Sequence, residues 1–138
     1  MAARSDTETL EDLLAREQRL LSAYEAALRR DAIDPALGET LRDHERAHVR
    51  ALEQTLAGAG RRNPRASVPS AELTAALRDR DTFAQFAMRL EEETRGMYID
   101  AAARMRDADL RRPLGSIMAC GAAHVVALKD SLGIFLVN

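Results

Sequence analysis

Apolar residues recur along the chain at helical spacing, in four long stretches. Leu10, Leu13, Leu14, Leu20, Leu21, Tyr24, Ala27 and Leu28 fall close to i, i+3, i+4, i+7, which predicts a first helix over about 7–30. Asp34-Pro35 interrupts the stripe and can start a second helix over 35–57, with Leu41, Val49, Leu52 and Leu56 on one face. Gly58-Ala59-Gly60 ends it, and the proline-containing stretch 61–69 reads as a long crossover. Residues 70–105 predict a third helical segment with a break near 79–81. Ser70 would cap its short first piece, and Asp81 or Thr82 its long second piece. The core face of the long piece reads Phe83, Phe86, Ala87, Leu90, Thr94, Tyr98, Ala101, Ala102 and Met105. A fourth helix is expected over 109–132, with Pro113 in its first turn, where no intrahelical donor is lost. Its stripe is Leu110, Leu114, Ile117, Met118, Val125 and Leu128, and Gly133 stops it. In the tail 133–138, Ile134-Phe135-Leu136-Val137 is too apolar to be left in water. It is expected to pack on the bundle or on a second copy as a homodimer contact. The whole chain, 1–138, reads as one domain.

Charged residues interrupt these apolar faces at a few positions. Glu45 and His48 are three residues apart and share the face of Leu41, Val49, Leu52 and Leu56. Glu17 lies inside the first stripe and Glu91 inside the third, whereas Glu92 and Glu93 fall progressively off it. His124 lies on the fourth, beside Gly121, Val125 and Leu128. A carboxylate buried without a partner is costly, so something inside must compensate, and a metal ion is one solution. Each residue taken singly also fits a plain reading, as a helix-boundary glutamate, a hydrogen-bonded core histidine or a core tyrosine.

The two halves of the chain echo each other. Glu17 precedes Tyr24 by seven residues and Glu91 precedes Tyr98 by seven; His48 follows Glu17 by 31 residues and His124 follows Glu91 by 33. The first half has Glu45 three residues before its histidine, and the second has Gly121 there.

Glu17-x6-Tyr24, Glu45-x2-His48, Glu91-x6-Tyr98 and Gly121-x2-His124, in that order, resemble the ferritin-like superfamily of di-iron carboxylate proteins. The chain is most similar to small bacterial ferritin-like domains. The resemblance covers nearly the whole chain and implies an all-α, antiparallel four-helix bundle with its long crossover between helices 2 and 3. It also implies a metal site. Glu17 and Glu91 would be terminal ligands, Glu45 would bridge two metals, and His48 and His124 would complete one position each. Tyr24 and Tyr98 would donate hydrogen bonds to ligand carboxylates. His44, one residue off the best line near Leu41 and His48, reads as a boundary residue or one that supports a ligand. Gly121 stands where the family supplies a carboxylate and has no side chain to offer. Cys120, four residues before His124, could offer a thiolate instead, or be a plain buried cysteine. Iron or manganese, as one ion or two, suits oxygen ligands with one or two imidazoles, and the implied chemistry is oxidation of ferrous iron by oxygen or peroxide. Gly121 equally favours a degenerate, metal-free bundle serving as a structural or interaction module.

Composition narrows the partners. Twenty basic residues against 22 acidic ones leave a net charge of −2, without a basic stripe interleaved with aromatics, so nucleic acid is not expected. No run is long enough to cross a membrane, and none resembles an apolar signal core. The single cysteine rules out an internal disulfide and points to a reducing, cytoplasmic setting.

Overall fold

The computed structural model describes residues 4–61 and 65–133. The tail from Ile134 to Val137, expected above to pack on the bundle or a second copy, lies outside the described residues. Among the described residues there is no strand, and six helices follow one another: α1 (Asp6–Arg29), α2 (Pro35–Gly58), α3 (Ser70–Ala76), α4 (Arg80–Arg104), α5 (Ala108–Arg111) and α6 (Leu114–Ser131). No helix among them is long and apolar enough to cross a membrane.

Local chemistry sets the ends. Ser5 and Glu8 form a reciprocal capping box: the Ser5 hydroxyl accepts from the Glu8 N–H and the Glu8 carboxylate accepts from the Ser5 N–H. The Asp34 carboxylate accepts from the Leu37 N–H, and Pro35 occupies the first helical position, where its missing N–H costs nothing. The cap of α4 is Asp79, which accepts from the Thr82 N–H at 2.7 Å, two residues before the expected Asp81. Ser70 is the first residue of α3 rather than its cap, and Pro69 precedes it without a side-chain bond. The expected fourth helix comes as two pieces. Asp107 caps α5 by accepting from the Asp109 and Leu110 N–H groups, which puts Pro113 beyond the first turn. There its ring would meet the carbonyl four residues back, so α5 stops and α6 restarts with Pro113 at its N-cap.

The four long helices form a bundle, α1 packing chiefly on α2 and α4 chiefly on α6. Pairing across α1 and α4 is antiparallel, since Tyr24 meets Glu91 and Tyr98 meets Glu17. The crossover climbs along α1. Arg61 pairs with Glu11 at 2.7 Å, the Ala66 N–H donates to Gln18, and Leu73 and Leu77 lie by Arg29 and Arg30 at the far end. Two apolar clusters fill the interior. One is built around Leu20, Tyr24, Leu41, Phe83, Phe86 and Leu128, the other around Leu13, Leu52, Leu56, Tyr98, Leu114 and Ile117. Between them lies a buried polar layer: Glu17, Glu45, His48, Glu91, Thr94 and His124.

Candidate metal centre

The helical repeat delivers each polar side chain to that layer. Glu17 lies one turn from Leu13, Leu14 and Leu20, so burying the leucines buries the carboxylate. Glu45 and His48 are one turn apart on α2 and travel inward together with Leu41, Val49 and Leu52. Glu91 goes in with Phe83, Ala87 and Tyr98 on α4, and His124 with Ile117 and Leu128 on α6. Glu17, Glu45, Glu91 and His124 are each no more than 2% exposed, and His48 is 9% exposed.

The structure brings these five together in two overlapping groups. His48 Nδ1 lies 3.6 Å from Glu17 Oε2 and 3.4 Å from Glu45 Oε2. His124 Nδ1 lies 3.1 Å from Glu45 Oε1 and 2.9 Å from Glu91 Oε1. Glu45 therefore serves both groups, one oxygen to each. Two tyrosines brace the glutamates crosswise: the Tyr98 hydroxyl donates to Glu17 Oε1 at 2.6 Å and the Tyr24 hydroxyl to Glu91 Oε1 at 2.9 Å.

Burial and mutual repulsion strain the proton balance. Glu45 is pushed up to about 8, by burial first and the neighbouring Glu17 second. Glu17 is held below its usual range; burial would raise it, but the neighbouring Glu45 and His48 and the hydrogen bond from Tyr98 outweigh that. Burial disfavours charge on both histidines, yet the carboxylates beside them win. Glu17 and Glu45 push His48 up to about 11, and Glu45 and Glu91 push His124 up to about 10. Burial and the nearby carboxylates push both tyrosines well above their ordinary value, so both remain hydroxyl donors.

Three buried atoms of this layer make no hydrogen bond: Glu17 Oε2, Glu45 Oε2 and His48 Nδ1. They are the three atoms of the first group, and they face one another. Such atoms are rare in folded proteins because each forfeits its hydration. Two carboxylate oxygens and one imidazole nitrogen converging without partners fit a divalent cation. A cavity of about 10 Å³, room for one ion or one water, lies against Glu17, Glu45, His48, Glu91, Thr94 and Gly121.

A side chain built at Gly121 would start 3.7 Å from Glu91 Oε2, with no other group within 4 Å. The position therefore aims at the centre and has room. Cys120, one residue earlier, turns elsewhere: its sulfur lies 3.3 Å from His124 Nε2, the nitrogen facing away from the carboxylates. His44 is exposed, and its Nδ1 lies 3.0 Å from the same His124 nitrogen. Two polar residues of the cavity had no functional role in the sequence reading. Thr94 sits three residues after Glu91, the register His48 holds after Glu45, and its hydroxyl turns back to the Leu90 carbonyl at 2.6 Å. Arg95, exposed and one turn beyond Glu91, lines the cavity edge.

Comparison with curated proteins and comparison with solved structures each find no match. A family model described as a ferritin-like domain matches residues 5–133, spanning all four long helices and every residue of the polar layer. With that match and the bundle that carries it, the chain belongs to the ferritin-like domain family.

Proposed function

We propose that this protein holds iron or manganese inside the bundle, with Glu17, Glu45 and His48 as the principal ligands. The observation that carries the reading is the convergence of their three buried, unpaired atoms. Charge favours the same trio. Two carboxylates and a neutral imidazole around one divalent ion sum to zero, which suits an apolar interior. A second ion between Glu45, Glu91 and His124 would leave the layer one positive charge in excess, because Gly121 supplies no carboxylate. Keeping His124 protonated against Glu91 and Glu45 is neutral and costs less. The second position is therefore the weaker, a mono-metal or incomplete di-metal site.

The chain's own groups do the positioning. Tyr98 holds Glu17 and Tyr24 holds Glu91 by donating to one oxygen of each, leaving the second Glu17 oxygen for the cation. The apolar clusters on either side exclude water. Iron bound here would supply redox chemistry with oxygen or peroxide, the ferroxidase-type activity of ferritin-like proteins. The single cysteine supports a reducing, cytoplasmic setting, and the apolar tail a homodimer contact.

A second reading, a metal-free structural or interaction bundle, is favoured by Gly121 and by the protons that the two histidines can hold against the carboxylates. Plasma mass spectrometry on protein from iron- and manganese-supplemented cells separates the two. About one equivalent of metal is expected, lost in Glu45→Ala and in His48→Ala. Less than roughly a tenth of an equivalent under every condition would establish the metal-free bundle instead.

A further inference from the structure

We propose that His44, Cys120 and His124 form a second cation site, facing outward and suited to zinc. It lies beyond the carboxylate centre and does not depend on that centre being loaded. Neighbouring helices supply the residues at matching register: His44 is one turn before His48 on α2, and Cys120 one turn before His124 on α6. Three donor atoms meet there. His44 Nδ1 and His124 Nε2 are 3.0 Å apart, Cys120 Sγ and His124 Nε2 3.3 Å, and Cys120 Sγ and His44 Nδ1 3.6 Å.

That triangle has the size a tetrahedral zinc face needs. Zinc bonds of about 2.05 Å to nitrogen and about 2.3 Å to sulfur place two nitrogens about 3.3 Å apart and a nitrogen and sulfur about 3.6 Å apart. The fit extends to the groups behind the ligands. His124 Nδ1 is within hydrogen-bond reach of Glu91 Oε1 and Glu45 Oε1, so a hydrogen on Nδ1 is donated to carboxylate, and zinc takes the place of the hydrogen on the outward-facing Nε2. A carboxylate behind a histidine in this way fixes its tautomer and sharpens it as a zinc ligand. The entry path exists too, since His44 is exposed and Cys120 half-buried. One thiolate with two imidazoles selects zinc over manganese, magnesium or calcium.

The two sites share His124 through opposite nitrogens. A cation on Nε2 leaves Nδ1–H on the carboxylates and withdraws His124 from the inner ligand set. The Glu17, Glu45 and His48 trio is untouched, so both sites can fill in one molecule.

Cobalt is the spectroscopic substitute for zinc here. Full-length protein stripped of metal and titrated with Co²⁺ is expected to develop a thiolate-to-cobalt charge-transfer band in the near ultraviolet and intense tetrahedral bands in the visible. Added Zn²⁺ should bleach both. Cys120→Ser should abolish the charge-transfer band, and His44→Ala should weaken cobalt affinity at least about tenfold. Glu17→Ala, which breaks the inner trio, should leave the band in place. Cobalt binding without a charge-transfer band, or a band indifferent to His44→Ala, overturns the proposal and leaves these residues a hydrogen-bonded cluster.

Discussion

Tyr98→Phe tests how the polar layer is held, because it removes one hydroxyl and leaves the ring. Tyr98 is 1% exposed and its hydroxyl donates to Glu17 Oε1 at 2.6 Å. The other Glu17 oxygen makes no hydrogen bond, so the variant leaves this carboxylate only the longer approach of His48 Nδ1, at 3.6 Å. A buried bond to a charged acceptor contributes about 2 kcal/mol, and solvent cannot replace it here. For a chain of this length that is a fall of about 8 °C in melting temperature. Tyr24→Phe is the matched control, since the repeat puts it in the corresponding place. Glu91 Oε1 accepts from Tyr24 at 2.9 Å but also faces His124 Nδ1 at 2.9 Å, so it keeps a donor. Its cost is about half, roughly 1 kcal/mol and about 4 °C. Thermal circular dichroism on chelator-treated protein gives both numbers. Equal shifts in the two variants, or a Tyr98→Phe shift under about 2 °C, would refute the reasoning.

Gly121→Glu adds a carboxylate beside Glu91, in a direction with room for it, so manganese bound per chain should rise from about one towards two. Unchanged stoichiometry by mass spectrometry would mean that the missing carboxylate does not limit the second position. Near pH 7 the metal-free chain holds protons on Glu45, at about 8, and on His48, at about 11. Binding at the trio should therefore release about two protons, measured by calorimetry in buffers of different ionisation enthalpy. Both values are raised on folding, so their contribution is complete below the ordinary values of 4.5 and 6.5 and is lost as pH climbs towards 8 and 11. Metal-free protein should accordingly melt lower at pH 9 than at pH 6, and a flat profile would contradict this. Gly96→Ala, mid-helix with nothing within 4 Å, should stabilise by about 0.5–1 kcal/mol. Gly38→Ala should lose that gain, because its new methyl would sit 2.7 Å from the stiff Ile33 Cγ2; a rise in melting temperature for both would show that Ile33 yields.

Much of this architecture is legible in the sequence because long amphipathic helices write their buried face at every third or fourth residue. The stripes containing Leu10, Phe83 and Leu128 are faces the bundle buries. Glu17, Glu45, Glu91 and His124 stand out for the same reason, being charged or polar residues in apolar register, and they converge in one layer. Ends of helices are less legible. Asp79 and Asp81 are both competent caps, and only tertiary packing decides between them. Least legible is the direction of neighbouring side chains. Cys120 and Gly121 are adjacent in sequence, but one residue is about 100° of helix. That rotation turns the Gly121 position towards Glu91 and Cys120 towards the outer nitrogen of His124.

The partition of the ligands between the two hairpins bears on how such a protein can change over evolutionary time. Glu17, Glu45 and His48 all belong to the α1–α2 hairpin, whereas the second group needs Glu91 and His124 from the other. On the proposed reading, one metal position is thus the property of a single repeat, and the other is a joint property of two. Substitutions in the α4–α6 repeat can erode the joint position without touching the first. A bundle whose ligands are divided in this way can drift from two ions to one by losing residues on one side only, and Gly121 is the kind of change such drift would leave behind.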